Sequence, residues 1–125
     1  MSKRDVLVLL NDILNSGKKI IKYVENYSYN DFILDSKTVD AIVRNLEIIG
    51  EASKKLSENF KEKYNNIPWR TIGDLRNRII HEYFGIDEAI IWKIVKEELE
   101  PLLKQIEIIL KKEQNIWFDK GGKFS

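Results

Sequence analysis

The sequence predicts an all-α fold, an antiparallel up-and-down four-helix bundle, and three observations carry that prediction. Apolar residues recur at three- and four-residue spacing over long stretches. No stretch alternates apolar and polar residues as a half-buried strand would. The breaks between the periodic stretches are short, so their apolar stripes are covered most simply by packing neighbouring helices against one another.

Val6, Leu9, Leu10, Ile13, Ile20, Ile21 and Val24 mark one amphipathic helix from Ser2 to about Glu25. Gly17 lies inside it and is expected to admit a close neighbour rather than to end the helix. A polar and aromatic connection follows at Tyr27-Ser28-Tyr29-Asn30-Asp31, after which Asp35 or Ser36 can cap a second helix. Its stripe of Val39, Ile42, Val43, Leu46, Ile49, Leu56 and Phe60 carries it to about Lys63. Asn65-Asn66-Ile67-Pro68 then reads as a break, because proline has no N–H to donate and restricts the residue before it.

A third helix is expected from Pro68 or Trp69 to Tyr83 or Phe84, with Gly85 as its left-handed stop and Asp87 as the cap of the next. Ile90, Ile91, Ile94, Val95, Leu99, Leu102, Leu103, Ile106, Ile109 and Leu110 continue the helical period to about Gln114. Pro101 is expected to kink or divide that last helix. The bundle thus spans residues 1–114. Residues 115–125, with Ile116-Trp117-Phe118 and Gly121-Gly122, read as an extended aromatic and glycine-containing tail, and Trp69 and Trp92 as packing residues.

A chain of 125 residues suits one domain, which at this size buries roughly two thirds of the surface its unfolded form exposes. Without cysteine there are no disulfides or thiolate metal sites, and a single histidine forms no cluster, so neither metal nor cofactor is expected. No run approaches the roughly eighteen apolar residues of a membrane helix, and charges interrupt the N-terminal pattern, unlike a signal peptide. A cytoplasmic protein is the simplest expectation. Twenty-one basic and twenty acidic residues give a net charge of +1, too little to coat nucleic acid by bulk electrostatics. A DNA-binding regulator is therefore disfavoured, and any RNA contact must be local.

The chemistry is concentrated in Arg76-Asn77-Arg78-Ile79-Ile80-His81-Glu82-Tyr83, which holds the chain's one histidine. Histidine exchanges a proton near neutral pH, and arginine is a permanent cation suited to phosphate, so the pair points to phosphodiester chemistry. On a helix turning about 100° per residue, Asn77 and His81 share one face a turn apart, while Ile72, Leu75 and Ile79 mark the buried side with Tyr83 at its edge. Ile80 then lies exposed between arginine and histidine, which makes sense where that face meets a second copy. A two-fold axis would bring two Arg76 and two His81 side chains into one positive cleft. Arg78 and Glu82 read as ordinary exposed charges, with Arg78 a candidate RNA contact. A lone histidine near a helix end is equally at home as a partner of the helix dipole, and Tyr83 as a core-edge aromatic.

The Arg-x4-His run resembles the signature of HEPN domains, and the following Tyr83 narrows the likeness to HepT-like toxins. The resemblance covers roughly residues 5–112 and includes Ile49-Gly50-Glu51-Ala52-Ser53-Lys54, Ile67-Pro68-Trp69 and Tyr83-Phe84-Gly85-Ile86-Asp87. It implies a dimeric helical bundle with both motifs in a shared cleft, Arg76 and His81 as catalytic residues and Asn77 as the supporting polar residue. It further implies RNA cleavage without metal, leaving a 2′,3′-cyclic phosphate. The expected partner is a nucleotidyltransferase antitoxin that transfers AMP to Tyr83. A non-catalytic helical module that binds the same nucleotidyltransferase fits the same residues.

Overall fold

The computed structural model describes residues 1–122. Three long helical stretches form an all-α bundle, and shorter helices fill the connections. Helix α1 (Lys3–Tyr23) starts at a capping box, in which the Ser2 side chain accepts from the Asp5 N–H and the Asp5 carboxylate accepts from the Ser2 N–H. It buries Val6, Leu7, Leu10, Ile13, Leu14 and Ile20. Asn26 then takes a left-handed φ of 65°, which a short polar side chain tolerates. A second capping box at Ser28 and Asp31 starts a short helix, α2 (Tyr29–Leu34), where the sequence suggested only a connection. Phe32 turns inward from it and meets Trp92 at a ring distance of 5.2 Å.

Asp35 caps α3 (Ser36–Lys55) through the Thr38 N–H. This helix stops short of the expected Lys63. Leu56 is extended, and Ser57 caps a separate helix, α4 (Glu58–Lys63). The stripe that suggested continuity survives the break because Leu56 and Phe60 both remain buried. Beyond Pro68, the expected single third helix is two five-residue helices, α5 (Trp69–Gly73) and α6 (Leu75–Ile79), which meet at Asp74.

The last stretch begins at α7 (Glu88–Lys93), capped by Asp87 through the Ile90 N–H. It widens into a π turn at Ile94–Glu98 and continues as α8 (Leu99–Asp119). The chain stays helical through Pro101, so the helix is not divided there. The irregularity lies just ahead of the proline, where wider winding gives room for a ring that would otherwise press on the preceding turn. Helix α8 also takes in the first part of the expected tail: residues 115–119 are helical, and Trp117 packs partly buried against the core. Residues 120–122 then turn back, with the Gly122 N–H donating to the Trp117 carbonyl at 2.9 Å, and the last tail residues, 123–125, lie outside the described residues.

Helices α1 and α8 run antiparallel, because Lys3 meets Glu113 at one end and Gly17 meets Leu103 near the other. The expected close approach at Gly17 is real: a β-carbon there would lie 2.4 Å from a Leu103 methyl. Glu113 is fully buried and accepts from Lys3 Nζ, from Lys63 Nζ at 3.0 Å and from the Tyr64 hydroxyl at 2.6 Å. One carboxylate thereby ties α1, α4 and α8 together. Among the described residues no helix is long and apolar enough to cross a membrane.

Candidate functional site

Helix α6 ends at Ile79, four residues earlier than expected, and this changes the geometry of the motif. Ile80 and His81 form β1 (Ile80–His81), which pairs antiparallel with β2 (Gly85–Ile86), Ile80 opposite Ile86 and His81 opposite Gly85. The shared helical face for Asn77 and His81 is therefore wrong, since a wheel cannot be continued into an extended segment. Two features of the sequence favour the hairpin. Ile80 and Ile86, opposite each other on the two strands, are β-branched, and Gly85 adopts a φ of 75° that suits glycine. The glycine makes a hairpin turn rather than a helix stop. The turn is closed by the Phe84 N–H donating to the His81 carbonyl at 3.1 Å, and the Asp87 N–H donates to the Ile79 carbonyl at 2.8 Å.

His81 is exposed on β1, and its Nε2 stands 3.5 Å from Asp87 Oδ2. Arg76 is exposed near the start of α6, and its side chain makes no hydrogen bond or ion pair among the described residues, so its guanidinium is available to an anion. Asn77 is exposed, and its amide donates to Asp74 Oδ1 at 2.6 Å, which directs it toward the start of α6 rather than toward His81. Arg78 is not the free surface charge that was expected. Its two terminal nitrogens grip Glu98 on the π turn at 3.1 and 2.9 Å, a bidentate fork that braces α6 against the last helical stretch.

Ile80 is half-buried and packs on the core, so the expectation of an exposed isoleucine does not hold. Tyr83 moves the other way. Expected at the edge of the buried stripe, it sits at the hairpin tip with 88% of its surface exposed, next to Phe84 at 90%. A shallow groove beside the hairpin is walled by His81, Phe84, Ile86 and Asp87 together with Tyr29 and Ile33 of α2. Tyr29 is itself steadied by edge-on contact with Trp92 at 6.0 Å.

The structure thus keeps Arg76 and His81 on adjoining exposed segments, with one fixed by a short helix and the other by a hairpin. Such a pair can hold a phosphate and move a proton beside it. The residue that sequence reading missed is Asp87. Its position before an apolar helical run signalled a cap, but nothing in the sequence signalled that its second oxygen faces the histidine. Among the described residues no cluster of three His, Cys, Asp or Glu side chains is arranged to hold a metal ion.

Comparison with known proteins bears on the same segment. The family described as Ribonuclease HepT-like matches residues 13–109. A protein of Methanocaldococcus jannaschii named Putative RNase MJ1380 is 47% identical over 109 residues, covering 87% of this chain and all of that protein. Putative RNase TTE0752 of Caldanaerobacter subterraneus is 43% identical over 105 residues, covering 84% of this chain and 94% of the relative. Probable ribonuclease HepT of Thermococcus cleftensis is 39% identical over 109 residues, covering 87% and 99%. No solved structure matches the chain. With a family match that spans the bundle from α1 into α8 and includes the whole motif, the chain belongs to the HepT-like ribonuclease family.

Proposed function

We propose that the protein is an endoribonuclease toxin of a type VII-like toxin–antitoxin system, working without metal through Arg76 and His81 at a homodimer cleft. The observation that carries this reading is the exposed, unpaired Arg76 and exposed His81 on adjoining segments of a HepT-like chain. His81 takes the proton of the RNA 2′-hydroxyl as that oxygen attacks the adjacent phosphorus. Arg76 stabilises the charge that develops on the phosphate oxygens, a contribution that grows toward the transition state. The 5′-oxygen leaves with a proton supplied by the second histidine of the dimer, and the product is a 2′,3′-cyclic phosphate. Proton transfer by a positioned histidine contributes on the order of 10²–10⁴-fold. Asn77 supports the site by holding the start of α6 through Asp74.

Tyr83 is the acceptor of AMP from a nucleotidyltransferase antitoxin. Its exposure at the hairpin tip supports this reading, since a transferase must reach the phenolic oxygen. AMP on Tyr83 adds bulk and a phosphate two residues from His81, on the same short hairpin, and competes with RNA for the same cations.

The second reading, a non-catalytic module that presents Tyr83 to the nucleotidyltransferase, draws on the same exposure. Expression in cells separates the two. A ribonuclease toxin arrests growth, and His81→Ala or Arg76→Ala relieves the arrest at equal protein level. Arrest that persists in both variants contradicts the nuclease reading.

A further inference from the structure

Asp87 is held through both its carboxylate and its backbone, more firmly than a surface carboxylate. Its Oδ1 accepts the Ile90 N–H at 3.1 Å and so caps α7. Its own N–H donates to the Ile79 carbonyl at 2.8 Å, closing the base of the hairpin. With Oδ1 committed to the helix start, Oδ2 is the oxygen left toward the hairpin, 3.5 Å from His81 Nε2. His81 is held from its own side by its register opposite Gly85 and by the Phe84 N–H on its carbonyl. The approach of the two side chains is therefore set by anchored backbone on both sides.

We propose that Asp87 is a positioning residue that fixes the orientation and tautomer of His81. This rests on the reading of His81 as the group that moves a proton in RNA cleavage. A carboxylate beside one ring nitrogen favours hydrogen on that nitrogen and restricts rotation of the ring. Hydrogen on Nε2 leaves the lone pair on Nδ1, turned away from Asp87, where it accepts the proton of the 2′-hydroxyl. The carboxylate itself gains no proton and touches no substrate. The same division of labour operates wherever a carboxylate orients a catalytic imidazole.

Asp87→Asn tests this with little disturbance of the fold, because asparagine caps a helix about as well as aspartate. Its one oxygen goes to the Ile90 N–H, which turns the amide nitrogen toward the histidine. A donor there draws the lone pair to Nε2 and moves the ring hydrogen to Nδ1. Asp87→Ser keeps a capping oxygen but does not reach the ring. Since the chain has one histidine, ¹⁵N labelling of its imidazole gives a single pair of ring signals that report the tautomer directly. In the neutral ring the Nε2–H form is expected to predominate in the wild type, the Nδ1–H form in Asp87→Asn, and a mixture in Asp87→Ser.

Single-turnover cleavage of a short RNA is expected to slow by about ten- to a hundredfold in Asp87→Asn with RNA affinity unchanged. An unaltered tautomer in both variants would overturn the proposal whatever the rates. Unaltered cleavage in Asp87→Asn beside an inactive His81→Ala would overturn it as well. Full activity in His81→Ala would instead overturn the underlying nuclease reading, and the ring spectra would still decide whether Asp87 sets the tautomer.

Discussion

Replacing Glu113 by glutamine tests how the bundle is closed. The carboxylate is fully buried and receives Lys3, Lys63 and the Tyr64 hydroxyl. Burial alone would push its pKa up, but the hydrogen bonds from Lys3, Tyr64 and Lys63 outweigh it and hold the carboxyl below the usual glutamate range. Glutamine keeps the shape, loses the charge and offers one acceptor where there were two. Removing one partner of a buried ion pair costs about 3–5 kcal/mol when the remaining charge is trapped. Here the Lys3 and Lys63 side chains keep 28% and 49% of their exposure, so the stranded ammonium groups can turn to water. The expected loss is accordingly about 2–4 kcal/mol, or a drop in melting temperature of roughly 10 °C for a chain of this size.

Circular dichroism during urea and thermal unfolding reads this directly, and its pH dependence adds a check of sign. With a folded pKa below the unfolded one, the Glu113 contribution is complete above about pH 4.5 and is lost as pH falls through the lower folded value. The glutamine variant should lack that part of the acid limb. Tyr64 acts at the other end: burial, then the bond to Glu113, pushes its phenol above its ordinary value. Its contribution is therefore complete below about pH 10 and lost above. A Glu113→Gln protein within about 0.5 kcal/mol of wild type, with an unchanged acid limb, would refute this account of the cluster.

Three further outcomes are expected. Gly85→Ala forces a β-carbon into a φ of 75°, at a local cost of about 1–2 kcal/mol; cleavage should fall about tenfold because His81 loses its register, while a melt shows only a few degrees of change. Tyr83→Phe should leave stability and RNA cleavage at the wild-type level but abolish the AMP mass increment when the nucleotidyltransferase and ATP are supplied; a retained increment would place the modification elsewhere. Arg78→Ala should cost about 1 kcal/mol through loss of the fork to Glu98. It should leave the salt dependence of RNA binding unchanged, whereas a free phosphate contact would reduce the slope by about one.

The bundle was legible because its stripes are long. Val39 to Ile49 and Leu99 to Leu110 bury what a helical period says they should, and the caps at Ser2, Asp35 and Asp87 mark helix starts. The breaks were harder to see where an apolar stripe runs across them. Leu56 and Phe60 stay buried although the helix stops between them, and Ile79 to Ile80 passes from helix to strand without a polar signal. The same ambiguity misplaced the site. Arg76, Asn77, His81 and Tyr83 stand out in the sequence as candidates, but a helical wheel misplaces them relative to one another because the helix ends at Ile79. The Asp87–His81 and Arg78–Glu98 pairs depend on how the hairpin and the π turn fold back, which no local pattern encodes.

The most direct test of the nuclease reading is incubation of purified protein, with Tyr83 unmodified, with single-stranded RNA in EDTA, alongside Arg76→Ala and His81→Ala. Cleavage by the wild type alone is expected, with 2′,3′-cyclic phosphate at the new ends. Intact RNA with the wild type, or equal cleavage by all three proteins, would contradict it.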